Sequence, residues 1–173
     1  MDIETLADLY THRLETIYSV ELEQREILSQ LEDDVATDAL DTSGDDTLRT
    51  ELRSLIEAHR EQTETQIDRL ETVFERLGRR PNTREAPAIR GLLDEKERFN
   101  NVILNDALRP AYYIEFMKLV ERTEIIAYDS LLRIAEQLEV GDEATDLLEA
   151  SLDEEEDTFD ELDSYSPYEI TGV

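Results

Sequence analysis

Residues 119–132 read LVERTEIIAYDSLL, an amphipathic helical pattern interrupted by two carboxylates. Alternating steps of four and three trace the stripe Met117, Glu121, Glu124, Tyr128, Leu131, Ala135 and Leu138. That spacing holds one face of a 3.6-residue helix together, and the apolar members suit a seam between helices. The glutamates fall in the middle of the seam, where a charge is hardest to keep. Three other stretches repeat the device. One gives Tyr10, Leu14, Ile17, Glu21, Gln24, Leu28, Leu31 and Val35. The second gives Leu52, Ile56, His59, Thr63, Gln66, Leu70, Val73 and Leu77, and the third Leu148, Leu152, Glu155, Phe159 and Leu162. Each stripe is apolar at its ends and polar at mid-length.

Punctuation between the stripes sets the architecture. TDALDTSGDD (37–46) has loop composition, and GRRPNTREAP (78–87) opens on a helix-ending glycine and closes on proline. Pro110 suits a helix first turn; Gly141 suits a stop, with Asp142 as the next N-cap. The expected long helices cover about 2–35, 46–78, 109–139 and 142–163, with a short one over about 87–103. No stretch alternates with period two, so no strand is expected. Two antiparallel hairpins joined by one long crossover make a ferritin-like four-helix bundle, all-α, with an additional short crossover helix. The bundle is expected to occupy residues 1–163 and a C-terminal tail residues 164–173.

Composition narrows the function classes. There are 45 Asp and Glu against 17 Lys and Arg, a formal net charge of −28. The lysines are Lys96 and Lys118 alone. Such a field opposes binding to nucleic acid or anionic membrane. Self-repulsion should weaken the compact state at low salt, and a Debye length of about 3 Å at 1 M salt removes it. An acidic surface with scarce lysine resembles proteins of salt-loving cytoplasms. With no cysteine, thiolate metal sites and disulfides are excluded. The first residues show no secretory leader, and no apolar run approaches the roughly 20 residues of a membrane span, so a cytoplasmic location is expected.

The polar mid-points agree in depth. Glu21 and His59 stand at one level of the first hairpin, and Glu124 and Glu155 at one level of the second. Burying a bare carboxylate costs several kcal/mol, so Glu21, Glu121, Glu124 and Glu155 require compensation. His59 is the one stripe residue able to carry positive charge; Arg25 and Arg122 lie about 100° round their helices. Divalent metal would neutralise the carboxylates, and a carboxylate–imidazole set suits iron, manganese or zinc. Inward-facing Glu and Glu-x-x-His groups are how two-metal bundles are built. A metal-free polar layer of Gln24, Thr63 and Gln66 is the alternative. Glu121 could sit at a boundary, Glu155 lies within the acidic DEEED (153–157), and His12 falls off the stripe. Tyr10, Tyr18 and Tyr128 read as packing residues.

YSVELEQ (18–24), HREQTETQIDRLETVFERLG (59–78), VERTEIIAYDSLLRIAEQL (120–138) and LLEASLDEEED (147–157) together resemble the YciF-like stress proteins of the ferritin-like superfamily. The resemblance covers about residues 3–163 and implies a bundle with an extra short helix, paired as a homodimer. It also implies a two-metal site, matched here by Glu21, His59, Glu121, Glu124 and Glu155, and the expected cofactor is one or two ions of iron or manganese. No glycine-rich phosphate loop or nucleophile elbow accompanies it. Three positions depart from the family pattern. Gln62 and Arg122 stand where the family has glutamate and histidine, and Phe159 where it has aspartate. None of the three replacements is a good metal ligand. The resemblance with these losses implies a stress-related protein with a degenerate site that holds one ion or none. The alternative is an active di-metal oxidoreductase or ferroxidase acting on O2, peroxide or Fe(II).

Overall fold

A computed structural model describes residues 2–38 and 47–165. Among these residues five α-helices follow one another: α1 (Leu6–Asp38), α2 (Thr47–Arg76), α3 (Pro87–Val102), α4 (Arg109–Gln137) and α5 (Asp142–Ser164). A single 3-10 turn, Asp106–Leu108, leads into α4, and no strand occurs among the described residues.

Local chemistry explains where the helices start and stop. The first helix begins at Leu6 rather than near residue 2, because Thr5 and Asp8 cap each other. The Thr5 N–H donates to Asp8 Oδ2 at 3.0 Å, and the Asp8 N–H donates to Thr5 Oγ1 at 3.1 Å. It runs to Asp38, past the expected end; the expected loop lies outside the described residues from position 39 onward. The α2 helix ends at Arg76, and Gly78 closes it at φ 66° while the Arg79 N–H donates to the Phe74 carbonyl at 2.9 Å. Pro87 and Pro110 stand in the first turns of α3 and α4, where a missing N–H costs nothing. Gly141, not Asp142, takes the α5 cap and makes no side-chain capping bond. Asp142 and Glu143 lie instead in the first turn, where the helix dipole favours them.

The pairings between helices fix the topology. Arg25 meets Glu64 and Arg60 meets Glu32, so α1 and α2 run antiparallel. Lys118 meets Asp163 and Arg122 meets Phe159, so α4 and α5 do too. Across the hairpins, Arg69 pairs with Glu154 and Arg76 with Glu143 (α2 against α5), while Glu21 pairs with Tyr128 and Gln24 with Glu121 (α1 against α4). Each bundle helix therefore lies antiparallel to both of its neighbours. The α3 helix runs alongside α1, since Arg90 reaches Glu23 and Lys96 reaches Asp34. It brings the chain back along the bundle so that α4 can start at the same end as α2.

Apolar layers close both ends of the bundle. Leu14, Ile17, Leu70, Val73, Leu131 and Leu148 are buried at one end, and Leu28, Leu31, Leu52, Ile56, Met117 and Leu162 at the other. The expected α5 stripe is corrected: Leu152 and Phe159 are only half-buried, and Ser151 and Thr158 take their places in the seam. Small hydroxyl residues fit there because their hydroxyls donate back to carbonyls of their own helix, Ser151 to Leu147 and Thr158 to Glu154. Tyr165 packs against the core just past α5, and the rest of the expected tail, 166–173, lies outside the described residues.

Candidate metal centre

Between the apolar layers lies a polar one, to which α1 contributes Glu21 and Gln24, α2 His59, α4 Glu121 and Glu124, and α5 Glu155. All six side chains are buried, with no more than 2% of any of them exposed. The helical stripes force this convergence: burying the apolar ends of four antiparallel helices leaves the mid-length residues nowhere to point but inward.

Ligand atoms of His59, Glu121, Glu124 and Glu155 lie within 4.8 Å of one another. His59 Nε2 stands 3.0 Å from Glu121 Oε1 and 2.5 Å from the Gln24 side-chain nitrogen, which is itself 3.4 Å from Glu121 Oε1. Glu21 lies beside this group rather than in it; its Oε1 accepts a 2.5 Å hydrogen bond from the Tyr128 hydroxyl. The carboxylates are otherwise short of partners. Among the described residues, Glu21 Oε2, Glu121 Oε2 and both oxygens of Glu124 and of Glu155 have no hydrogen-bond partner, and neither has His59 Nδ1.

The electrostatics follow from this burial. Loss of water pushes the Glu21 carboxyl up to about 8, with the Glu121 and Glu154 charges adding to it and Tyr128 and His59 opposing. Burial and then neighbouring carboxylates raise Glu124 and Glu155 well above their ordinary range. Burial also raises the Tyr128 phenol, with Glu21 and Glu155 next. At His59 burial alone would favour the neutral ring, but the Glu121 charge and hydrogen bond, with Glu21, outweigh it and hold the ring above its usual value. Three acids that resist ionisation and one base that resists neutralisation describe a layer in need of positive charge.

A divalent first-row ion fits that need. Carboxylate and imidazole are donors that suit such an ion, and His59 and Glu121 already stand 3.0 Å apart. The orphaned oxygens of Glu124 and Glu155 supply further anionic donors in reach. Metal-ligating histidines ordinarily donate their other ring N–H to a partner; His59 Nδ1 has none among the described residues.

Sequence reasoning placed Glu21, His59, Glu121, Glu124 and Glu155 in one layer, and all five are there. Glu121 is not at a boundary, and Glu155 is the buried member of its acidic run. Of the departures from the family pattern, Arg122 turns outward and stacks 3.6 Å over the Phe159 ring, and Gln62 bonds to Thr158 Oγ1 at 3.3 Å. His12, expected at the surface, is half-buried. Tyr128, read as a packing residue, is the donor that holds Glu21. Its place on the stripe, four residues after Glu124, was the available signal. Buried Lys96, bonded to Asp34 at 2.7 Å, gave no signal in the sequence, because it lies on the crossover helix away from every stripe.

A family profile described as a domain of unknown function, DUF892, matches residues 5–172. Protein YciF of Escherichia coli K12 is 30% identical over 159 residues, which cover 91% of this chain and 88% of that protein. Among solved structures, YcfI from Rhodopseudomonas palustris superposes with a TM-score of 0.83 at 29% identity, covering 95% of this chain and 97% of that one. The E. coli stress protein YciF superposes with a TM-score of 0.78 at 28% identity, covering 93% and 94% respectively.

Proposed function

The chain belongs to the DUF892 family, and from that premise we propose a stress-related bundle protein whose polar layer holds one divalent iron or manganese ion. The observation that carries the reading is the set of four buried side chains, His59, Glu121, Glu124 and Glu155, with ligand atoms within 4.8 Å and almost no other partners. The stress role is supported by the likeness to YciF, described as a stress protein. A bound ion would supply the missing positive charge and an open coordination position. His59 and Glu121 would hold it from α2 and α4, with Glu124 and Glu155 completing the donors. Glu21, fixed by Tyr128, would stand beside the site.

One ion is favoured over two by where the remaining polar groups point. Glu21 lies outside the four-residue group, Gln62 is spent on Thr158, and Arg122 lies over Phe159. A two-ion oxidase acting on O2, peroxide or Fe(II) would need donors from those positions, and we do not adopt it. The homodimer, the cytoplasmic setting and adaptation to high salt expected from the sequence belong to the same proposal. No described helix is long and apolar enough to cross a membrane.

Elemental analysis of protein purified in molar KCl, followed by titration of the chelator-treated protein with Mn2+, tests the metal. The expected result is one ion per chain, lost in Glu121→Gln. A titration that detects no binding in the parent would overturn the reading.

A further inference from the structure

A cavity of about 320 Å3 opens between α2 and α5 and reaches inward to His59. Its inner wall is His59 with the Gln62–Thr158 hydrogen-bonded pair, and Ser54 and Ala58 line the outer part. Glu51, Glu161 and Tyr165 complete the lining together with Thr50 and the apolar Leu55. The geometry points to this cavity as the route by which a divalent cation reaches the buried layer, with Glu51 and Glu161 as the carboxylates that collect it at the mouth. The inference rests on the metal reading above.

Three observations converge on it. First, the ring of His59 bridges two environments. Nε2 is committed inward to Gln24 and Glu121, while Nδ1 is buried without a partner and the residue lines the cavity. A passage lined by a side chain with an unpartnered buried nitrogen offers an arriving polar species a partner that an apolar one could not use. Second, the charge at the mouth of the passage is of one sign. A cavity at the α4–α5 link carries Arg133 in its wall, and one between α1 and the α2–α3 loop carries Arg84 and Arg90. Among the described residues, the His59 cavity has no lysine or arginine in its lining. Third, the two mouth carboxylates act on one point: the Tyr165 hydroxyl is pushed up by burial and then by Glu161 and Glu51. A low-dielectric cleft lined with one sign of charge focuses the field and raises the local concentration of counter-ions.

Thr158 ties the passage to the site. It stands one helical turn from Glu155 on the same buried face of α5, and its hydroxyl bonds Gln62, one turn from His59 on α2. The pair thus stands at the boundary between cavity and carboxylates, held by one exchangeable hydrogen bond.

The test is the rate of Co2+ binding to chelator-treated protein, followed by the visible absorbance of the bound ion in a stopped-flow instrument. Two variants alter the passage at exposed positions: Ala58→Trp fills it, and Glu51→Gln with Glu161→Gln neutralises its mouth. The expected result for Ala58→Trp is association and dissociation both slowed, with the equilibrium affinity unchanged. For the double variant, association should slow about tenfold at low salt, the lower end of what a charged cleft provides, and approach the parent's rate in molar KCl. Equilibrium binding with unchanged rates in both variants overturns the route and leaves the metal reading standing. Absence of Co2+ binding to the parent overturns both.

Discussion

Replacing Glu21 with glutamine isolates the cost of one buried acid. Its carboxyl is raised from an ordinary 4.5 to about 8 in the folded chain, chiefly by burial. Between those values the folded state holds a proton that the unfolded state has released. Stability therefore falls as pH rises through that window and levels off above about 8. At about 1.4 kcal/mol per pH unit the full window is worth about 5 kcal/mol, of which about 3 falls between pH 5 and pH 8. The substituted amide has no such proton to lose. It keeps the acceptor for Tyr128 but puts an NH2 where Glu21 Oε2 already lacks a partner, a penalty of about 1–3 kcal/mol that does not change with pH. The informative quantity is thus the pH slope of the difference between variant and parent, not its offset. Urea unfolding in molar KCl with chelator, at pH 5, 6, 7 and 8, measures it. The stability of Glu21→Gln relative to the parent should rise by about 3 kcal/mol across the series. A difference that stays flat within about half a kcal/mol would mean that Glu21 ionises as freely folded as unfolded, and the account of the polar layer would be wrong.

Glu121→Gln combined with Glu155→Gln removes two buried carboxylates and with them the partner of His59; at pH 8, where an unpaired buried imidazole is neutral, the variant without metal should be at least as stable as the parent, by thermal unfolding with chelator. With Mn2+ at about a hundred times the parent's Kd, the parent should gain about 2.7 kcal/mol and the double variant nothing measurable. Lys96→Met leaves Asp34 and Glu97, both partly exposed, without their buried partner, and should cost about 1–2 kcal/mol in urea unfolding, less than the loss from a fully buried pair. The net charge of −28 predicts a Tm that rises steeply from low salt to molar KCl and then flattens, as screening saturates.

The bundle was legible because burial is periodic. Four stripes with four–three spacing have one compact solution, and the polar break in each stripe set the level at which they meet. Legibility failed where a residue's fate depends on a neighbour far away in sequence. In α5 the acidic run DEEED masks the phase, and only packing against α2 decides that Ser151 and Thr158, not Leu152 and Phe159, enter the seam. Tyr128 could be placed on the stripe, but its bond to Glu21 joins residues 107 positions apart. Lys96 has no periodic cue, since α3 packs on the outside of the bundle. The start of α1 moved because Thr5 and Asp8 form a cap that fixes the first turn at Leu6.

A polar belt at mid-length also reverses the usual map of local motion. Bundle helices ordinarily fray from their ends, and their central amides exchange with solvent last. Here the ends are sealed by Leu, Ile and Val, while the middle carries orphaned carboxylates that gain by meeting water. Without a cation the amides around Glu124 and His59 should therefore exchange through shallow openings of the waist, ahead of those beside Leu131 and Leu70. The core would behave as two clasps around a soft centre, and occupancy of the centre would make them one cooperative unit.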